Sequence, residues 1–115
     1  MKLQFENYLD EQGKDLVMSE LTKLDRGTVG QLLNKFEKMQ ANGVTPHNYK
    51  RFKGYDEGIQ FGELILGDFR VLVYRRSETS FVLLRLFRKQ ANETPPSEKD
   101  KAYQRLLNYL SRKKP

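Results

Sequence analysis

Residues 59–88 read IQFGELILGDFRVLVYRRSETSFVLLRLFR, and the alternation within that run decides the fold. From Phe69 to Arg75, the side chains of Phe69, Val71 and Val73 fall on one side. Arg70, Leu72 and Tyr74 fall on the other, which is the period of two expected of a strand. Residues 59–66 before it and 81–88 after it are equally rich in apolar side chains and predict two further strands. Gly67-Asp68 is a two-residue hairpin signal, and Ser77-Glu78-Thr79-Ser80 turns the chain into the third strand. Three strands joined by short turns predict an antiparallel meander. In the third, Val82, Leu84 and Leu86 form a wholly apolar face, expected to pack on a helical hairpin. Phe81, Leu83, Arg85 and Phe87 share the opposite face, and Lys89 continues that parity just past the strand.

Upstream of this run, Leu3, Phe5 and Leu9 predict a short opening strand, followed by a turn at Glu11-Gln12-Gly13. Asp15 is placed to cap a helix whose apolar residues Val17, Leu21 and Leu24 follow i, i+4, i+7 spacing. A second helix carries Val29, Leu32, Leu33, Phe36 and Met39 in one stripe and stops at Asn42-Gly43, where glycine accepts a left-handed conformation. These two helices make an αα-hairpin with one face to bury. From Thr45 to Gly58 the chain reads as an irregular, basic and aromatic loop. Downstream, Pro95-Pro96 ends the sheet region, and Ser97-Glu98-Lys99-Asp100 has capping-box spacing. The last helix presents Ala102, Leu106 and Leu110 along one side, with Tyr103 and Leu107 beside them. Lys101, Arg105, Asn108 and Arg112 lie on its other side. The expected fold is α+β. An N-terminal αα-hairpin packs on a small antiparallel meander with a C-terminal helix, as a single domain over residues 1–115, frayed at 112–115.

Composition narrows the chemistry. Lys and Arg number 21 against 15 Asp and Glu, a net charge of +6, which favours a polyanionic partner. The chain has no cysteine, so disulfides, thiolate nucleophiles and cysteine-bound zinc are excluded. With His47 the single histidine, a histidine-based metal site is not expected, nor is any cofactor. Residues Met1 to Glu6 lack the apolar run of a signal peptide, and no stretch is apolar enough to span a membrane. The expectation is a cytoplasmic protein with no membrane partner.

Three further pieces resemble one family. The stretch FKGYDEGIQFGELILGDFRVLVYRR, followed by FVLLRLFRKQANETP, is similar to the signature of HigB-type toxins within the RelE superfamily. The pieces are Glu63-Leu64, the strand Gly67-Asp68-Phe69-Arg70-Val71-Leu72-Val73-Tyr74, and Phe87-Arg88-Lys89 followed by Thr94-Pro95. Ala102 and Arg105 also fit the helix of relatives. The sequence departs from the HigB pattern at Ile65, where many relatives carry arginine. It departs from RelE-type members at Phe61, Gly62 and Glu63, where they carry lysines, and at Pro95-Pro96, where they use a tyrosine. The resemblance implies a RelE-like fold and the toxin of a toxin–antitoxin pair, held inactive by a cognate antitoxin. Once freed, such a toxin cuts messenger RNA in the ribosomal A site without a metal ion. A non-catalytic member of the fold that binds a protein or RNA partner is the alternative, and a basic RNA-binding module outside the family is a third reading.

In that chemistry the RNA 2′-hydroxyl attacks its own phosphate, so the protein must orient the nucleotide and stabilise charge on the phosphoryl oxygens. Arg70, mid-strand among apolar residues, corresponds to the family's phosphate-contacting arginine. The competing account is an arginine snorkelling to the sheet edge. Arg85 interrupts its strand in the same way and is either a second phosphate ligand or one half of an ion pair with Glu63. Lys89 falls where relatives carry a basic residue at the strand's exit. Lys53 completes the expected catalytic set. Lys50, Arg51 and Phe52, beside Tyr49, combine charge with stacking faces and are expected to contact RNA, unless Phe52 anchors the loop to the core. Arg88, of opposite parity, is an outlying RNA contact or a solvated charge. His47 is a general base or an idle exposed histidine, and Tyr74 is expected in the core.

Overall fold

In the computed structural model, which describes residues 2–90 and 92–112, eight elements follow one another. They are β1 (Gln4–Asn7), α1 (Leu16–Thr22), α2 (Arg26–Asn42), β2 (Tyr49–Arg51), β3 (Phe61–Leu66), β4 (Phe69–Arg75), β5 (Ser80–Arg88) and α3 (Pro96–Arg112). β2 to β5 form the meander, each strand antiparallel to the next. β1 lies parallel to β5, so the order is β1-β5-β4-β3-β2 and the sheet is mixed. The route of the chain explains this arrangement. It leaves β1 at one edge, crosses a face as the α1–α2 hairpin, and re-enters at the opposite edge as β2. That last strand lies inside the segment expected to be an irregular loop. Its exposed Lys50 and Arg51 give no apolar alternation to reveal it.

Local signals work as read at the hairpin. The Asp15 carboxylate accepts the Met18 N–H at 2.8 Å and caps α1. Gly43, at φ 85°, closes α2 with its N–H on the Met39 carbonyl. At α3 the expectation needs correction. The helix opens at Pro96, ahead of Ser97, and the Pro95 carbonyl accepts the N–H groups of Glu98 and Lys99. A proline at the first helical position sacrifices no bond, so Ser97 is not needed as a cap. The frayed end falls on residues outside those described except Arg112, which is helical and donates to the Leu9 and Asp10 carbonyls. No helix among the described residues is long and apolar enough to cross a membrane.

Each face of the sheet has its own core. Val17, Leu21, Leu32 and Met39 of the hairpin pack on Leu64, Leu66, Phe69, Val71, Val73, Phe81, Leu83 and Leu86. On the other face Ala102, Leu106 and Tyr109 of α3 cover Phe61, Leu72, Val82 and Leu84. Phe61, Phe81, Leu72 and Leu84 have no exposed surface, each contributing roughly 2 kcal/mol of burial. Tyr74 joins the second core as expected. Leu33 and Leu107, by contrast, are exposed at 52% and 41%, and Tyr109 takes the buried place on α3 that Leu107 was expected to share.

The face of β5 is the main correction. Leu72 stands opposite Arg85 but Val73 stands opposite Leu83, so Leu84 is an extra residue in the ladder. This β-bulge reverses parity midway. Val82 and Leu84 pack under α3, whereas Phe81, Leu83 and Leu86 face the hairpin. The expected apolar face of Val82, Leu84 and Leu86 is therefore split between two cores. β1 ends at Asn7, which leaves the edge of β5 beyond it unpaired. Side chains take over there. Glu20 Oε1 accepts the Leu86 N–H at 2.9 Å, and Arg105 Nη1 donates to the Leu84 carbonyl at 2.7 Å.

Two substitutions probe the β2 edge. A Cβ at Gly62 would stand 2.3 Å from the Lys50 carbonyl oxygen and 3.0 Å from the Arg51 Cα, both backbone. Gly62→Ala is expected to push β2 off β3 and lower stability by about 2 kcal/mol, read by urea or thermal melts.

Tyr49, packed edge-on against Phe81, has a buried hydroxyl with no hydrogen bond among the described residues. Burial pushes that hydroxyl above its usual value of 10.0, against the opposing pull of Arg75 and Arg51. The unfolded chain therefore ionises here first. The associated stability is full below pH 10 and is lost as the pH rises through the folded value. Tyr49→Phe is expected to match or exceed wild-type stability at neutral pH. It should also lose less between about pH 8 and about pH 11, in paired denaturation curves.

Candidate functional site

Directly opposed residues of antiparallel strands share a side of the sheet. One row runs Lys50, Glu63, Leu72, Arg85, and the next runs Ile65, Arg70, Phe87. Leu72 lies in the α3-side core, so both rows face α3. Lys89 leaves the end of β5 beside Arg70's row, with its N–H on the Asp68 carbonyl at 2.8 Å. Further along the chain, the Thr94 hydroxyl donates to Glu63 Oε1 of β3.

Arg70 does not snorkel outward. Its Nη1 donates to the Gly67 carbonyl at 2.7 Å and the Phe69 carbonyl at 2.9 Å, which ties the guanidinium to the β3–β4 turn. Its Nε faces Glu63 Oε2 at 4.0 Å, too far for a hydrogen bond, and is buried with no hydrogen-bond partner among the described residues. Nη2 makes no hydrogen bond among the described residues. An arginine held on two sides with one amino group uncommitted is preorganised to donate to an anion.

Arg85 differs, and the expected pairing with Glu63 is corrected. Its Nη1 lies 2.6 Å from Glu20 and its Nε 2.7 Å from Glu98, while Arg105 also meets Glu20, at 2.9 Å. Burial works against the Arg85 charge, but the hydrogen bonds to Glu98 and Glu20 outweigh it and hold its pKa above the usual guanidinium value. With two carboxylates answering it, Arg85 ties α1, β5 and α3 together and is not a free phosphate ligand.

The remaining candidates spread over the surface. Lys50 and Lys53 are exposed. Lys53 lines an open hollow beside β2 with Arg51, Phe52, Tyr55 and Glu57. Arg51 turns back onto the Glu57 carbonyl at 2.7 Å. Phe52 anchors the loop, edge-on to Phe61 at 5.0 Å, and the Lys99 ammonium lies 4.6 Å from its ring centre. Arg88 points to the hairpin side, over the Phe69 ring at 4.9 Å, away from Arg70. His47 sits in the exposed turn before β2, its N–H on the Thr45 hydroxyl.

Of the residues singled out from sequence, the sheet thus brings Lys50 and Arg70 onto one face, with Lys89 beside them. Lys53, Arg51 and Phe52 form a neighbouring group. Arg88 and His47 join neither. Sequence reasoning missed Glu63 as Arg70's companion and Glu20 altogether; it named Thr94, Glu98 and Lys99 but not the contacts they make with Glu63, Arg85 and Phe52. The one available signal was an acidic residue inside the apolar run 61–66. No group of three metal-ligating side chains occurs among the described residues.

A family model described as phage derived protein Gp49-like matches residues 19–107. Two solved structures share the fold. One chain of the archaeal RelE–RelB complex from Pyrococcus horikoshii OT3 has a TM-score of 0.55 at 14% identity, covering 81% of this chain and 100% of its own. A mutant of the Escherichia coli toxin RelE in the free state has a TM-score of 0.56 at 15% identity, covering 92% of this chain and 99% of its own. At such identities the likeness is one of fold. No curated protein matches the chain.

Proposed function

The chain belongs to the Gp49-like family of phage-derived proteins, and from that membership and its RelE fold we propose that it is the toxin of a toxin–antitoxin pair. In this reading it is a metal-independent endoribonuclease that acts in the cytoplasm, cutting messenger RNA in the ribosomal A site. A cognate antitoxin neutralises it, as the partner in the RelE–RelB complex is matched to its RelE.

The observation that carries the reading is Arg70, mid-sheet, tied to the turn by Nη1 with Nη2 uncommitted, beside Lys50 and Lys89. The 2′-hydroxyl of the RNA is the nucleophile, so the protein needs no nucleophile of its own. Arg70 binds the scissile phosphate and stabilises the charge that builds on it. Lys89 and Lys53 supply further cations, and a lysine at the phosphate is the group that exchanges protons. Lys50, Arg51 and the loop after them hold the flanking backbone.

The test is brief induction in cells with mapping of RNA 5′ ends. Growth should stop and new ends should appear inside translated frames, and they should vanish when initiation is blocked. Normal growth with intact transcripts under strong expression would overturn the nuclease reading. It would leave the second one, a non-catalytic member of the fold that binds a protein or RNA partner. That alternative draws on Arg85, whose charge is fully answered by Glu20 and Glu98.

A further inference from the structure

Glu63 sits in β3 between two neighbouring strands and is 5% exposed. A carboxylate buried on a strand is unfavourable unless its charge is answered. In the other buried acid cluster the contacts are closed, with Glu20 and Glu98 meeting guanidinium groups at 2.6 to 2.9 Å. Glu63 is held differently. Oε1 takes the Thr94 hydroxyl, while Oε2 stands off the Arg70 Nε at 4.0 Å. Lys50 is its cross-strand neighbour on β2.

The β3–β4 turn ties these groups into one unit. Its Gly67 carbonyl holds Arg70, and its Asp68 carbonyl holds the backbone of Lys89. Thr94 donates its hydroxyl to Glu63. Two of the cations proposed for the phosphate, Arg70 and Lys89, are thus tied to this turn, and Arg70 also stands against Glu63. Packing alone does not explain a buried carboxylate that keeps one oxygen open towards an arginine.

We infer that Glu63 is a positioning residue. It orients the Arg70 guanidinium by charge, across the 4.0 Å to its Nε, so that Nη2 meets the phosphate, and the Thr94 hydroxyl holds the Glu63 carboxylate in place. This inference rests on the nuclease reading for its consequence in rate, but the positioning itself is measurable without any activity. Glu63 does not touch the reacting atoms. Its effect reaches them through Arg70, as a supporting shell orients the groups that do the chemistry.

The experiment compares wild type with Glu63→Gln, Thr94→Val and Thr94→Ser in single-turnover cleavage on programmed ribosomes, alongside thermal melts. Glu63→Gln should lower the maximal rate about 100-fold, with little change in the half-saturating ribosome concentration and no fall in melting temperature. Thr94→Val should lower the rate in the same way, and Thr94→Ser, which keeps the hydroxyl, should restore it. A wild-type rate in Glu63→Gln, or a loss no greater than its loss of folded protein, overturns the inference.

A second measurement is ¹⁵N relaxation of the Arg70 Nε–H. The group should be rigid in wild type and mobile in Glu63→Gln, and equal rigidity in both overturns the positioning role. If wild type cuts nothing, or if Arg70→Ala cuts normally, the nuclease reading fails, and the relaxation data still decide whether Glu63 positions Arg70.

Discussion

Arg70→Ala is expected to reduce ribosome-dependent cleavage by about 100- to 1,000-fold, and Arg70→Ala with Lys89→Ala to abolish growth arrest. In the proposed reaction Arg70 stabilises charge that develops only as the phosphate is attacked, so the loss should appear in the maximal rate. Arg70→Lys should restore little of it. An ammonium cannot hold two turn carbonyls with one nitrogen and present another to the phosphate, as the planar guanidinium does. The folded state also loses two charge-assisted hydrogen bonds to carbonyls at a turn, together worth about 3 kcal/mol or more, so cleavage is compared per folded molecule. Arg88→Ala is the matched control, since that side chain lies on the hairpin side over Phe69. A double variant that stays fully toxic would remove Arg70 and Lys89 from the site.

Glu20→Ala is expected to be the most destabilising of the substitutions considered. Its carboxylate accepts from Arg85, Arg105 and the backbone N–H of Leu86, and its side chain is 10% exposed. Removing it leaves Arg85 with Glu98 alone and Arg105 with only the Leu84 carbonyl, at 18% and 15% exposure, and frees one edge N–H of the bulged strand. A buried network broken at one member loses about 3 kcal/mol or more, which for a chain of this size lowers the melting temperature by roughly 12 °C or more. Replacing all members of a buried ion cluster by apolar residues is often tolerated. Here it should not be, because Leu86 N–H and Leu84 C=O depend on Glu20 and Arg105. Calorimetry of Glu20→Ala and of an apolar Glu20/Arg85/Glu98/Arg105 quadruple variant checks both points. A quadruple variant as stable as wild type would show that water serves the bulge equally well.

Arg85 shows why part of the candidate site was hidden in the sequence. As a charge interrupting an apolar strand it looked equivalent to Arg70, and register does set both towards α3. What separates them is the company each keeps. The acids that answer Arg85 come from α1 and α3, one of them 65 positions away, and no spacing rule connects them. Glu63 was visible as an acid in an apolar run, yet its partner depended on the curl of Arg70 onto the turn and on the return of the chain through Thr94. Lys50 and Lys89 were legible as basic residues; the structure puts Lys50 on Arg70's side of the sheet, across β3, and the Lys89 backbone on the β3–β4 turn.

The chain's own order of residues was enough to determine the α+β class, the hairpin at Gly67-Asp68, the Asp15 cap, the stop at Asn42-Gly43 and the meander of β3 to β5. Each of these is set within a few residues, by side-chain period or by the backbone angles one residue allows. Tertiary structure alone decided the parallel docking of β1 on β5, the extra residue at Leu84 and the division of β5 between two cores. It also decided which arginine meets two carboxylates and which is tied to turn carbonyls. Those outcomes depend on packing between distant segments, where one inserted residue in a ladder turns every later side chain to the other face.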